Sequence, residues 1–219
     1  MKSVLCFGDS NTHGYAAAAA LAGKTPRFAW NERWTGVAQD ALGSEWRIIE
    51  EGLNGRTTIQ SDPGHPEADR CGSHVLPVAL ESHSPLDAVV IMLGTNDAKR
   101  RYGLEASDIA RGARTLVKQV KNFPWTETEP CPRILLVAPI QVGKHVADDS
   151  MSDYDAHSVE VSRAFATCYR KVAEAEGCDF LDAASVARAA DADSIHLDAE
   201  GHKALGLAIA ARLRQMLGE

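Results

Sequence analysis

The sequence has no Cys-x-x-Cys pair, and its five cysteines, Cys6, Cys71, Cys131, Cys168 and Cys178, are an odd number. Neither a disulfide framework nor a thiolate zinc site is expected, and a reducing cytoplasm is the simplest compartment. No stretch approaches the ~20 apolar residues of a membrane span. The N-terminus offers one lysine and a short apolar run from Val4 to Phe7 before Gly8, which lacks the h-region and cleavage site of a secretory leader. Membrane association is therefore not expected. Positive charge is also short: 23 Lys and Arg against 30 Asp and Glu give a formal charge of −7. A phosphate backbone needs a clustered basic excess, so nucleic acid is disfavoured as a partner, and Lys99-Arg100-Arg101 reads as a solvated face. No His pair has H-E-x-x-H spacing, and neither G-x-G-x-x-G nor G-x-x-x-x-G-K-[ST] occurs, so no metal and no nucleotide or flavin cofactor is expected.

What is present is an ordinary globular composition. With 219 residues, 45% hydrophobic and 24% charged, the chain can bury a sizeable core, and no internal repeat or linker divides it. A single domain spanning residues 1–219 is expected. Short β-rich runs cover Ser3 to Phe7, Trp46 to Glu50, Ala88 to Leu93, Arg133 to Ala138 and Cys178 to Leu181. They alternate with helical patterns, which predicts a parallel sheet with helices on both faces. One helix is read from Trp34 through Val37, Ala38, Ala41 and Leu42, and another from Ile109 through Ala113, Leu116, Val117 and Val120. A third runs through Val161, Phe165, Cys168, Val172 and Ala175 to Gly177, and the last from about Ala199 to Leu217 behind Asp198 as N-cap. The expected architecture is α/β, a flavodoxin-like three-layer α/β/α sandwich on a five-stranded parallel sheet. Ala16 to Asn31 reads as a single helical turn with a loop, Phe123 to Pro132 as a surface loop, and Gly143 to His157, with Asp148, Asp149, Asp153 and Asp155, as a solvated acidic loop.

Ligands of open α/β sheets bind beyond the carboxyl ends of the strands. The first three strands are followed by Gly8-Asp9-Ser10-Asn11-Thr12, by Gly52-Leu53-Asn54-Gly55-Arg56-Thr57-Thr58 and by Gly94-Thr95-Asn96-Asp97, while Asp193-Ser194-Ile195-His196 precedes the last helix. With strand order 2-1-3-4-5 the three loops are neighbours, and His196 returns to Ser10. A serine hydroxyl needs a base to become a nucleophile, an imidazole suits that task, and a carboxylate fixes its tautomer. Ser10, His196 and Asp193 are the candidates. The oxyanion of a tetrahedral intermediate needs fixed donors. The N–H groups of Ser10 and Gly55 and the amide of Asn96 are placed to supply them.

Candidate substrate contacts are Asp9, Asn11, Trp34, Asn54 and Arg56, with Tyr15, Phe28 and Trp30 as further pocket aromatics. Plainer roles stand beside these: Asp9 bonding nearby backbone N–H groups, Trp34 packing in the core, Arg56 holding its own loop, and Asp97 orienting the loop of Asn96.

These four blocks resemble the signature blocks of the GDSL or SGNH hydrolases, in the family's order and from residue 8 to 196. The resemblance implies the SGNH hydrolase fold and a serine esterase with Ser10 as nucleophile, Ser10, Gly55 and Asn96 as oxyanion hole, and Asp193 and His196 completing the triad. Arg33-Trp34-Thr35-Gly36, Glu50 to Thr58 and Ile91 to Asp97 resemble more narrowly the bacterial arylesterase and acyltransferase branch. That likeness implies small acyl and aryl esters as substrates, acyl transfer or perhydrolysis as side activities, and a homo-oligomer. Carbohydrate O-deacetylation uses the same apparatus and is the alternative. A non-catalytic binding module on the same fold is the alternative of a different class.

Overall fold

The computed structural model describes residues 1–148 and 152–218. Five parallel strands, β1 (Lys2–Gly8), β2 (Trp46–Gly52), β3 (Ala88–Met92), β4 (Arg133–Ala138) and β5 (Asp179–Asp182), form one sheet in the order β2-β1-β3-β4-β5. The order reverses between β1 and β3, whose register pairs Val4 with Ala88 and Gly8 with Met92. That reversal places the loops after β1, β2 and β3 side by side at one sheet end.

Successive side chains of a strand face opposite layers. Leu5, Phe7, Val89, Ile91 and Leu136 pack on one face with α4 (Gly72–His83), α5 (Ala106–Asn122) and α7 (Phe165–Glu176). Val4, Cys6, Val90, Leu135 and Val137 pack on the other with α3 (Trp34–Leu42) and α8 (Ala199–Leu217). Both faces are covered, which is why the central strands read as continuous apolar runs. The short helices α1 (Ser10–His13) and α2 (Ala17–Leu21) lie between β1 and α3. The expected three-layer sandwich is the observed one.

Two local expectations are corrected, and one helix is added. The helix read through Val161 to Ala175 is two, α6 (Ala156–Arg163) and α7, meeting at Ala164. The chain turns there because Val159 of α6 packs with Val142, Val146 and Tyr154 in a separate small cluster, while α7 lies on the sheet. The sequence pattern also concealed α4, whose Pro77 removes a backbone donor. The carbonyl four residues earlier, Ser73 O, accepts instead from Gln119 Nε2 at 2.8 Å. Finally, the segment from Gly143 to His157 is solvated only in part: Asp148 and Asp153 are exposed as expected, but Lys144–Asp148 form a 3-10 turn, and Val146 and Tyr154 are buried. Asp149 lies outside the described residues.

One buried histidine ties the two helices of the second layer together. His202 Nδ1, on α8, accepts from the N–H of Trp34 at 3.2 Å, at the first turn of α3 where no intrahelical acceptor exists. Protonation would destroy that acceptor, and burial pushes the His202 imidazole down to about 4. A depressed histidine contributes stability that is complete above its unfolded value near 6.5 and is lost as the pH falls toward its folded value. Between pH 7 and 4 wild type is expected to lose on the order of 3 kcal/mol relative to His202→Gln, measured as the difference between urea unfolding free energies. Asp9 and Asp97, each pushed up to about 6 by burial, act in the opposite direction across the window, and the comparison with the variant cancels them. Parallel stability profiles for the two proteins would refute the assignment.

Candidate active site

The turn after β1 is built by Asp9, whose Oδ1 accepts from the N–H of Asn11 at 2.9 Å and caps α1. This presents Ser10 two residues beyond the strand, at the first position of α1. The loop after β2 turns at Gly55, whose φ of +79° disfavours any side chain. After β3 the chain passes through Gly94 at φ +132°, where a Cβ would sit 2.2 Å from the Tyr169 hydroxyl. A 3-10 turn over Asn96–Ala98 follows. Asp97 accepts from Thr58 at both N (2.9 Å) and Oγ1 (2.5 Å), and so clamps the loop of Gly55 to the turn of Asn96.

The segment before α8 closes the constellation. Asp193 Oδ1 accepts from the N–H groups of Ile195 (3.0 Å) and His196 (2.9 Å), and its Oδ2 lies 2.5 Å from His196 Nδ1. His196 Nε2 lies 2.8 Å from Ser10 Oγ. Burial pushes the Asp193 carboxyl up, but the hydrogen bond and charge of His196 and the two N–H groups outweigh it, and the group stays below the ordinary carboxylate value. Ser194 sits at φ +61°, unusual for a residue with a side chain. It is held there by Gly143 N–H donating to its carbonyl at 2.7 Å and by its own N–H donating to Ala190 O at 2.8 Å. The ring of Tyr15 packs 4.5 Å from that of His196.

Asn96 Nδ2 donates to Arg56 O at 3.1 Å, and Asn96 Oδ1 accepts from the Tyr154 hydroxyl at 3.3 Å. Among the described residues, no acceptor takes the N–H of Ser10 or of Gly55. Ser10, Gly55, Asn96 and His196 open into one cavity of about 330 Å³, walled also by Tyr15, Asn54, His65, Lys99, Ser152, Asp153, Tyr154 and Ile195.

Of the residues read as substrate contacts, only Asn54 lines this cavity. The other four are corrected to supporting positions. Asp9 is used up in capping and buried. Asn11 joins the Ser10 turn to the His196 segment, accepting from Leu197 N–H at 2.9 Å and donating to Ile195 O at 3.4 Å. Trp34 is fully buried in the second layer. Arg56 donates to the carbonyls of Gly8 and Glu51 with its guanidinium 4.3 Å from the Phe7 ring centre, and burial pushes it down to about 10. Tyr15 does wall the cavity, but Phe28 packs on His202 and Trp30 is exposed beside Arg33.

Lys99 is corrected as well. It is not on a solvated face but 7% exposed, with its ammonium 3.8 Å from Asp62 and 3.7 Å from Asp153. Burial, with the nearby Arg101 charge, pushes this group below the ordinary lysine value. Nothing in the sequence distinguished Lys99 or Tyr154; Ile195 could have been found from its place beside His196. Among the described residues no group of three or more His, Cys, Asp or Glu is arranged to hold a metal ion. Among the described residues no helix is long and apolar enough to cross a membrane.

This geometry coincides with a family match: the model of the GDSL-like lipase/acylhydrolase family matches residues 6–204. The chain belongs to that family. As a GDSL-family member it is a carboxylic ester hydrolase, with the sheet and covering helices of the SGNH hydrolase fold. One crystal structure is 54% identical over 100% of both chains, with a TM-score of 0.99. A carbohydrate acetylesterase family member from Sinorhizobium meliloti is 42% identical over 100% of both chains, with a TM-score of 0.91. The aryl esterase of M. smegmatis is 35% identical over 99% of this chain and 100% of its own, with a TM-score of 0.88. No curated protein matches the chain.

Proposed function

We propose that the chain is a serine esterase of small acyl and aryl esters in which Ser10 is the nucleophile, His196 the general base and Asp193 its orienting carboxylate. The observation that carries this reading is the row of contacts from Asp193 through His196 to Ser10, at 2.5 and 2.8 Å. A carboxylate on Nδ1 requires the proton there and leaves Nε2 as an acceptor toward the hydroxyl. Ser10 Oγ attacks the ester carbonyl while its proton passes to His196 Nε2. The oxyanion is held by the N–H groups of Ser10 and Gly55 and by Asn96 Nδ2, each donor contributing about 3 kcal/mol to the transition state. His196 then protonates the departing alcohol, and water attacks the acyl-Ser10 ester by the same relay in reverse. A serine-reactive organophosphate should label the chain once, on the peptide containing Ser10. Labelling elsewhere, or none with the reagent in molar excess, would reject the assignment.

The reading extends to acyl transfer and perhydrolysis as side activities, since an alcohol or hydrogen peroxide reaching the acyl-enzyme replaces water as acceptor. A homo-oligomer, one domain over residues 1–219 and a cytoplasmic location belong to the proposal too. The five cysteines, all free in the fold, support the last.

Carbohydrate O-deacetylation is the second reading. It is favoured by the cavity walls, where His65, Lys99, Ser152 and Asp153 offer donors and acceptors suited to a hydroxylated alcohol, and by the likeness to the carbohydrate acetylesterase family member. Comparing kcat/KM on an acetylated sugar with that on an aryl acetate separates the two.

A further inference from the structure

The segment between β4 and α6 has its own small apolar cluster, in which Tyr154 packs with Val142, Val146 and Val159 and against Ile195. Its location is set by bonds to the turn that carries Asn96. Ser158 Oγ donates to Ala98 O at 2.7 Å, and the N–H of Arg100 donates to Asp153 O at 2.9 Å. Tyr154 is 6% exposed, so its hydroxyl needs a buried partner. That partner is Asn96 Oδ1, 3.3 Å away and 58 residues distant in sequence.

Asn96 is itself 5% exposed and faces the cavity beside Ser10 and Gly55. A carboxamide has two N–H donors and one oxygen. The carbonyl of Arg56 can only accept, so it takes one Nδ2 hydrogen at 3.1 Å and determines which end of the amide is nitrogen. The second hydrogen is left for the cavity. Oδ1 lies on the opposite side and would be buried without a partner if the phenol were absent.

We infer that Tyr154 is a positioning residue for the oxyanion hole: its hydroxyl, donating to Asn96 Oδ1, holds the carboxamide so that Nδ2–H points at the ester oxygen on Ser10. The inference rests on the proposed role of Asn96 as an oxyanion donor. Two consequences follow from the bond. The amide torsion is braced at both ends, so the donor is in place before charge develops, which is the condition for electrostatic catalysis without reorganisation. Donation into Oδ1 also polarises the amide and strengthens its N–H as a donor, because linked hydrogen bonds reinforce one another. Burial pushes the phenol well above the ordinary tyrosine value, so it keeps its proton at working pH.

The test is a double-mutant cycle on p-nitrophenyl acetate with wild type, Tyr154→Phe, Asn96→Ala and the double variant. Asn96→Ala should lower kcat about 100- to 1000-fold, and Tyr154→Phe about tenfold with KM within about twofold. In the Asn96→Ala enzyme, Tyr154→Phe should cost less than about twofold, because the group it positions is gone. A tenfold loss in both backgrounds would show a merely structural role and overturn the inference, as would an unchanged kcat in Tyr154→Phe. An unchanged kcat in Asn96→Ala would overturn the oxyanion reading itself, and the inference with it. Should Tyr154→Phe fail to fold by circular dichroism, 3-fluorotyrosine at position 154 replaces it in the same cycle. This nearly isosteric, stronger donor should raise kcat about twofold when Asn96 is present and not in the Asn96→Ala enzyme. Equal effects in both, or none in either, overturn the inference.

Discussion

Ser10→Ala is expected to lower kcat on p-nitrophenyl acetate about a millionfold, the scale seen when the nucleophile is removed from a triad that acts as a unit. The size follows from the chemistry lost. Without Oγ there is no acyl-enzyme, and the only nucleophile left is water with no position prepared for it. The remaining rate, about 10³- to 10⁴-fold above the uncatalysed reaction, would come from the oxyanion donors and substrate binding. Ser10 is 7% exposed and its Oγ bonds only His196 Nε2 among the described residues. The substitution therefore removes one surface-lining oxygen and leaves the fold intact, as an unchanged circular dichroism spectrum should show. A variant within tenfold of wild type, after contaminating esterase is subtracted, would sink the mechanism.

Asp193→Asn should lower kcat about 10⁴-fold at neutral pH. The asparagine oxygen would keep the two bonds that Asp193 Oδ1 makes to the N–H groups of Ile195 and His196, because those donors require an acceptor. Its NH₂ must then face His196 Nδ1, where Oδ2 now lies. An amide donor at that place forces Nδ1 to become the acceptor and moves the ring proton to Nε2, facing the serine. A base that already carries the proton cannot take one. The geometry would survive while the tautomer is wrong, so the loss should fall on kcat with little change in KM. A loss of less than about tenfold would show that the carboxylate does not govern the imidazole.

The residues of these predictions were all legible in the sequence, for a reason that lies in their position. Ser10, Gly55 and Asn96 each follow a strand within a few residues, and a parallel sheet with order β2-β1-β3 brings those strand ends together without further information. Asp193 and His196 are three residues apart on one turn, so their pairing is local. The supporting residues were harder to read. Asn11, Arg56 and Trp34 carry side chains suited to binding, and adjacency to the motifs gave no indication that each turns away from the cavity to satisfy a backbone group or fill the core. Lys99 followed the same logic in reverse. Its run of positive charge reads as surface, but Asp62 and Asp153, brought in from two other loops, hold it in the wall.

Strand and helix periodicity, the punctuating glycines and the four polar blocks follow from the sequence alone, because each depends on interactions within a few residues or on the tendency of ligand loops to follow the strands of a parallel sheet. Which side chains face the cavity was decided only by the tertiary structure. The cavity is walled by the loops around residues 54–65 and 152–154, whose places are set by long-range contacts such as Lys99 to Asp62 for the first and Tyr154 to Asn96 for the second. Contacts between residues so far apart along the chain leave no periodic trace, since nothing local requires either partner to be there.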